Sequence, residues 1–173
     1  MKSCSEIMLS RRSVKKYTDK EVPKEIIDKV IEAGLAAASG RNLQAPIIVA
    51  VTNKEIRDKL SAANAAVMGA SGDPFYNAPV VLVVLAEKRA HTYVYDGSLA
   101  LGNMMLAAHE AGIGSCWIHR AREVFEMPEW QAWLRSVGVS EEVEGIGHLV
   151  IGYPDGEMPA AKERRPGRVF FVE

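Results

Sequence analysis

The sequence has few cysteines, no paired histidines and no long apolar run, and each shortage excludes a class of protein. Its 173 residues include two cysteines, Cys4 and Cys116, outside any Cys-x-x-Cys spacing, which argues against a disulfide framework and a zinc cluster. The four histidines are never three or four residues apart, so no helix or strand offers paired imidazoles to a metal. The longest apolar run, residues 78–86, is about half as long as the roughly 20 residues that span a bilayer. We therefore expect a cytoplasmic protein without a bound metal or a membrane partner.

An excess of one charge sign is also lacking, because 21 Lys and Arg residues nearly balance 22 Asp and Glu residues. The charges are unevenly distributed, however. Residues 1–20 hold six basic and two acidic groups, residues 160–173 hold four and two, and the stretch between them holds eleven and eighteen. This pattern disfavours a uniformly cationic nucleic-acid binder. It leaves open a local anion site built from the two basic ends.

Hydrophobic periodicity predicts a mixture of helices and strands. Ser3 and Glu6 have capping-box spacing at the start of a short helix, and Thr52 and Glu55 have the same spacing before another. The continuous apolar run 80–85 predicts a central strand that is covered on both faces. Further helices are predicted over residues 23–38, 96–112, 122–125 and 128–134, and further strands over 47–51, 115–118, 148–153 and 169–172. We expect a single α+β domain over residues 1–173, in which the nearly all-apolar helix 96–112 is a core or dimer helix.

Two basic runs have the chemistry of a phosphate site. Residues 11–15, with the sequence RRSVK, combine two guanidinium groups, a hydroxyl and an ammonium, which suit charge neutralisation and bidentate hydrogen bonding. Lys162 and Arg164 form a second such run near the other end. A solvated basic surface explains either run equally well when each is taken alone.

The loop between the second helix and the first strand is rich in polar groups. Residues 39–46 supply a hydroxyl, a glycine and two amides, which suit recognition of the edge of a heteroaromatic ring. An ordinary helix-to-strand connection is the alternative. The sequence contains no nucleophile elbow and no complete dinucleotide-binding fingerprint, and Cys116 is most simply a buried structural thiol.

Taken in order along the chain, these segments resemble the nitroreductase family of flavin enzymes, and the resemblance covers nearly the whole sequence. Each motif is weak alone, and their shared order carries the resemblance. The seven matching segments are residues 11–15, 39–46, 78–81, 96–112, 112–118, 152–154 and 162–164.

The resemblance implies a three-layer α/β/α sandwich with a mixed, mainly antiparallel sheet and a long buried central helix. It also implies a homodimer with two FMN molecules at its interface and a C-terminal segment that is often exchanged between subunits. In such enzymes NADH or NADPH gives a hydride to the flavin, and an oxidised small-molecule acceptor then takes the electrons in the same space. No catalytic side chain is required, because the flavin carries the chemistry and Lys15 would stabilise its reduced charge. The implied cofactor-binding residues are Arg11, Arg12, Ser13, Lys15, Ser39, Gly40, Asn42, Gln44, Ile118, His119, Lys162 and Arg164.

Two departures from the family pattern leave a second function open. Ala45 follows Gln44 where the family often has a Pro followed by an aromatic residue, and His119 and Arg120 replace small residues after the strand 115–118. These changes suggest the alternative of a flavin- or nucleotide-binding module without turnover. A nucleic-acid-binding domain that uses the basic ends is a third reading, and the acidic middle of the chain argues against it. The acceptor is open: nitroaromatics, quinones and halogenated phenols all fit.

Overall fold

The computed structural model describes residues 3–139 and 142–173, which form six α-helices, one short 3₁₀ turn and four strands. The helices are α1 (Cys4–Ser10), α2 (Lys24–Leu35), α3 (Lys54–Met68), α4 (Tyr93–Glu110), α5 (Ala121–Phe125) and α6 (Pro128–Ser136). The strands are β1 (Pro46–Val51), β2 (Val80–Glu87), β3 (Gly114–Ile118) and β4 (Val143–Gly152), and the 3₁₀ turn is Gly40–Asn42.

The strands form one antiparallel sheet in the order β1-β2-β4-β3. The apolar run that predicted a central strand is β2, which is buried along seven of its eight residues. The sheet is less mixed than predicted, because the four strands pair only in antiparallel fashion. A single parallel bridge joins Ser13 to Ser115 at the outer edge of β3.

Side chains that alternate along β2 build two separate cores, one on each face of the sheet. Val81, Val83 and Leu85 pack in the core that includes residues of α3, α5 and α6. Val80, Leu82 and Val84 pack in the core that includes residues of α2 and α4. The α/β/α sandwich predicted from the sequence is therefore confirmed.

Helix α4 lies against the sheet along one side only. Ala100, Leu101 and Met104 are fully buried there, whereas Leu99 is 50% exposed and Tyr95 is 71% exposed. The helix is thus a core helix on its sheet side and carries apolar residues on its outer side. Among the described residues, no helix is long and apolar enough to cross a membrane.

The ends of the helices confirm one predicted cap and correct another. Ser3 and Glu6 form the expected capping box of α1. The cap of α3 is Asn53 and not Thr52, since the Asn53 carboxamide accepts a hydrogen bond of 3.0 Å from Ile56 N. Asparagine fills this position at least as well as threonine. Helix α4 starts three residues earlier than predicted, at Tyr93.

The C-terminal tail does not form the strand predicted over residues 169–172. These residues are at least 72% exposed and carry no strand or bridge in the structure of the single chain. An isolated tail without a neighbouring strand has no partner for its backbone hydrogen bonds, which explains the difference.

Candidate functional site

The N-terminal basic segment is fixed along the free edge of β3. Val14 N donates a 2.9 Å hydrogen bond to Ser115 O, and Tyr17 Oη donates one of 2.7 Å to Val14 O. Gly114 permits this close approach, because a Cβ there would lie 2.9 Å from the Val14 side chain. The edge pairing holds Ser13 beside Ser115, and Lys15 follows two residues further along the edge of β3.

Ser13 and Lys15 line an open pocket of about 510 Å³ at the end of β3. The pocket brings together four of the predicted site residues, namely Ser13, Lys15, Ile118 and His119. Its remaining lining residues are Met68, Pro74, Tyr76, Cys116, Trp117 and Arg120. The Lys15 ammonium lies 5.7 Å from the centre of the Tyr76 ring.

Two guanidinium nitrogens of this segment, Arg11 Nη1 and Arg12 Nε, are buried and have no hydrogen-bond partner among the described residues. Arg12 Nη1 donates to the carbonyl oxygens of Leu9 and Arg11 at 2.8 and 2.7 Å, so the Arg12 side chain is held by its own backbone. Buried charged donors without acceptors are costly unless a ligand supplies the acceptors. The site therefore fits an anionic group such as a phosphate.

Two neutral groups, the Cys116 thiol at the pocket and the buried Tyr17 phenol, are held in their protonated forms by raised pKa values. Burial raises the pKa of the Cys116 thiol, although the charges of Lys15 and Arg11 and a hydrogen bond with Ser13 oppose the shift. Burial, together with Cys116 and Tyr76, also raises the pKa of the Tyr17 phenol. Neither group is suited to act as a nucleophile or base near neutral pH. No Asp or Glu is among the described residues that line the pocket.

The part of the pocket lined by Pro74 and Tyr76 depends on Asp73, which the sequence analysis did not identify. Its carboxylate accepts hydrogen bonds from Arg57, Ser61, Phe75 N and Asn77 N. Burial raises the pKa of Asp73, but these hydrogen bonds outweigh it and hold the pKa below its usual value. The bonds fix residues 73–77, in which Tyr76 and Asn77 both have a φ of 56°. The sequence signal was the Ser-Gly-Asp-Pro run, interpreted only as a break between elements.

The predicted polar loop at residues 39–44 lies at the start of α4. Gly40 N donates a 3.0 Å hydrogen bond to the buried Asp96 carboxylate, and Ser39 Oγ accepts one of 3.0 Å from Gln44 N. Asn42 and Gln44 have φ values of 54° and 50°, which are strained for residues other than glycine. None of the predicted loop residues lines the pocket that contains Ser13 and Lys15.

Lys162 and Arg164 lie in the exposed C-terminal tail. Within the described chain they form no hydrogen bond or ion pair, so a single chain does not join them to Arg11. Their proposed role at a shared phosphate site stays a prediction.

A three-layer α+β fold with a cationic pocket, and with two buried guanidinium nitrogens that lack acceptors, indicates a protein that binds an anionic ligand. More specifically, the chain belongs to the nitroreductase family, whose model matches residues 8–153. Family membership confirms the class predicted from the sequence, an FMN-dependent NAD(P)H oxidoreductase.

Solved and curated relatives match nearly the whole chain. A nitroreductase with bound FMN from Bacteroides fragilis is 30% identical, with a TM-score of 0.88 and full coverage of both chains. An NADPH-flavin oxidoreductase from Vibrio harveyi is 29% identical over all of this chain and 74% of its own length. An NAD(P)H-dependent FMN reductase from Bacillus subtilis is 29% identical over 92% of this chain and 68% of its own length.

Proposed function

We propose that this protein binds FMN at the Arg11 to Lys15 segment and passes electrons from NADH or NADPH to an oxidised small-molecule acceptor. FMN, when bound, supplies the chemistry: it accepts a hydride from the nicotinamide and returns two electrons to an acceptor in the vacated space. The proposal depends on two buried guanidinium nitrogens without partners, which belong to the same segment as the pocket residues Ser13 and Lys15. A phosphate monoester would supply the acceptors that they lack.

The predicted residues have separate roles in binding and in electrostatics, although Arg11 and Arg12 are not among the residues that line the pocket in the described chain. Arg11, Arg12 and Ser13 bind the phosphate. Lys15 contributes a positive charge beside the ring system, and a nearby cation favours the reduced, negatively charged state of the cofactor. Ile118 and His119, at the end of β3, form the adjoining wall.

The remaining predicted residues join the site if the protein is a homodimer. Helices α1, α2 and α4 leave large apolar side chains exposed on their outer surfaces: Met8, Leu9, Leu35, Val94, Tyr95 and Leu99. Exposed apolar surface of this kind is typical of an interface between identical subunits. Such a dimer would bring Ser39, Gly40, Asn42 and Gln44 of one subunit to the pocket of the other.

The C-terminal segment fits the same arrangement. Val169–Val172 are exposed and apolar, and β1 pairs only with β2 within the described chain, which leaves its other edge unpaired. Pairing of a partner's tail with this edge would bury both. It would also draw Lys162 and Arg164 towards the other subunit, where they would join Arg11 at the phosphate.

Replacement of Arg11 tests the site. Loss of its charge-assisted hydrogen bonds should cost about 1–3 kcal/mol of binding free energy, so Arg11→Ala should weaken FMN binding by roughly 5- to 150-fold. Fluorescence titration of the flavin-free protein measures this affinity. Arg135→Ala, which removes an exposed arginine from α6, is the matched control and should bind FMN like the wild type. Equal affinity of Arg11→Ala and wild type would remove Arg11 from the site.

The kinetic order of the reaction is a separate test. Because the reductant and the acceptor share one space, the enzyme should release the oxidised nicotinamide before the acceptor binds. Double-reciprocal plots at several acceptor concentrations should then give parallel lines. Intersecting lines would contradict this order.

The alternative is a flavin-binding module without turnover. It is supported by the two large polar residues that follow β3, His119 and Arg120, which line the pocket where the family often has small residues. Steady oxidation of NADH or NADPH in the presence of a quinone or a nitroaromatic acceptor would exclude this alternative.

A further inference from the structure

Arg120 occupies a backbone conformation that favours glycine, although its side chain is large and charged. Its φ is 78°, and it directly precedes α5. The turn is fixed from α3, because the fully buried Asn64 donates a 2.9 Å hydrogen bond from Nδ2 to His119 O. A strained residue that its surroundings hold firmly in place is a reason to look for a function of its side chain.

The Arg120 side chain has most of its donors available at the pocket. Its Nη1 donates a 2.8 Å hydrogen bond to Glu123 Oε1, and the side chain is 46% exposed. This pair uses one of the five N–H donors of the guanidinium group. The ion pair fixes the direction of the side chain and still leaves donors for a ligand.

The charges around the pocket are of one sign. Lys15 and Arg120 both line it, and the described lining residues include no carboxylate. Glu123 offsets part of the charge, but its Oε1 is bound to Arg120 and its Oε2 is buried. The remaining walls are largely apolar or aromatic, with Tyr76 and Ile118 among them. With Lys15 assigned to the cofactor, Arg120 is the cationic side chain of the described lining that remains for an anionic group on the acceptor.

We propose that Arg120 makes this enzyme select aromatic electron acceptors that carry a carboxylate or a similar anionic group. The proposal rests on the proposed function, because it concerns the acceptor of that same site. Arg120 acts as a specificity-determining residue: it binds the anionic substituent of the acceptor and takes no part in electron transfer.

The test compares two acceptors that differ in charge, 4-nitrobenzoate and the neutral 4-nitrobenzyl alcohol, with NADH held constant. The measured quantity is the ratio of their kcat/KM values in the FMN-loaded enzyme. The wild type should prefer the anion by about tenfold or more, as expected for a charge-assisted hydrogen bond. This ratio should fall between about 20 mM and about 500 mM salt, because salt screens exposed charges.

Three variants separate the charge of Arg120 from its effect on the backbone. In Arg120→Gly the glycine adopts the positive φ without strain, and loss of the charge should lower the kcat/KM ratio about tenfold. Arg120→Lys keeps the positive charge and should retain most of the preference for the anionic acceptor. Arg122→Gln removes a neighbouring exposed arginine that pairs with Glu126 and should leave the ratio unchanged. FMN titration of each variant checks that the cofactor site is intact.

Each other outcome overturns the proposal. Equal kcat/KM ratios in the wild type and Arg120→Gly would show that Arg120 does not determine the preference for a charged acceptor. An unchanged acceptor ratio in Arg120→Gly, together with a raised KM for NADH in a separate titration, would assign the charge to the reductant. Reduction of 4-nitrobenzyl alcohol by the wild type without preference for the anion would refute this inference alone, whereas failure of NADH and NADPH to reduce the bound flavin would contradict the proposed function as well.

Discussion

The buried imidazole of His148 should make the stability of this protein strongly dependent on pH. His148 lies on β4 with no exposed surface, and neither ring nitrogen has a hydrogen-bond partner. The Phe75 and Phe125 rings pack on it at centroid distances of 5.1 and 5.9 Å. Burial in this apolar environment lowers the pKa of His148 to about 3.

The sign of the effect follows from the two pKa values. The unfolded chain binds a proton at His148 below a pKa of about 6.5, whereas the folded protein excludes it down to a pKa of about 3. The contribution to stability is complete above pH 6.5 and is lost as the pH falls, at up to about 1.4 kcal/mol per pH unit. Between pH 7.5 and pH 5 this amounts to about 2 kcal/mol.

Replacement of His148 by leucine isolates this contribution, because leucine has a similar volume and no titratable group. Urea unfolding of the wild type and His148→Leu, at fixed protein and FMN concentrations, gives the free energy of unfolding at pH 7.5 and pH 5. The wild type should lose about 2 kcal/mol more than the variant over this interval. His91→Gln, which replaces an exposed histidine, should behave like the wild type. An equal loss of unfolding free energy in the wild type and His148→Leu would show that His148 does not cause the pH dependence.

Two further substitutions test the supports of the site. Arg57→Met removes the buried partner of Asp73 and should lower the free energy of unfolding by about 3 kcal/mol, with Arg135→Met as the surface control in urea unfolding. Gly40→Ala would place a Cβ 2.1 Å from Thr92 Oγ1 and should cost about 1–3 kcal/mol, measured in the same way. A loss below about 0.5 kcal/mol in either variant would show that the contact contributes little.

Local sequence rules predicted most of the fold because they act over a few residues. The capping box of α1 and the continuous apolar run of β2 both specify their elements without help from distant residues. The strand predicted at 169–172 failed because a strand needs a neighbour, which the single chain does not supply. Asn53 caps α3 in place of Thr52. Either residue type can cap a helix, and the choice between two neighbours depends on where the helical backbone begins, which the spacing rule does not specify.

The site was less predictable because it depends on long-range contacts. The spacing of residues 11–15 indicated an anion site, and the structure leaves guanidinium nitrogens there without partners. The role of Asp73 in shaping the pocket depends on Arg57, which is 16 residues away on another element. The strained conformation of Arg120 likewise depends on a hydrogen bond from Asn64. Neither contact has a signature in the local sequence.

The most direct test of the flavin-dependent redox function is an anaerobic titration of the purified, FMN-loaded protein with NADH or NADPH. We expect close to one FMN per chain, and loss of the flavin absorbance at about 450 nm as about one equivalent of reductant is added. Addition of a nitroaromatic or quinone acceptor, after removal of the nicotinamide, should restore the absorbance. Absence of bound flavin, or flavin absorbance that NADH and NADPH both leave unchanged, would contradict a flavin-dependent redox function.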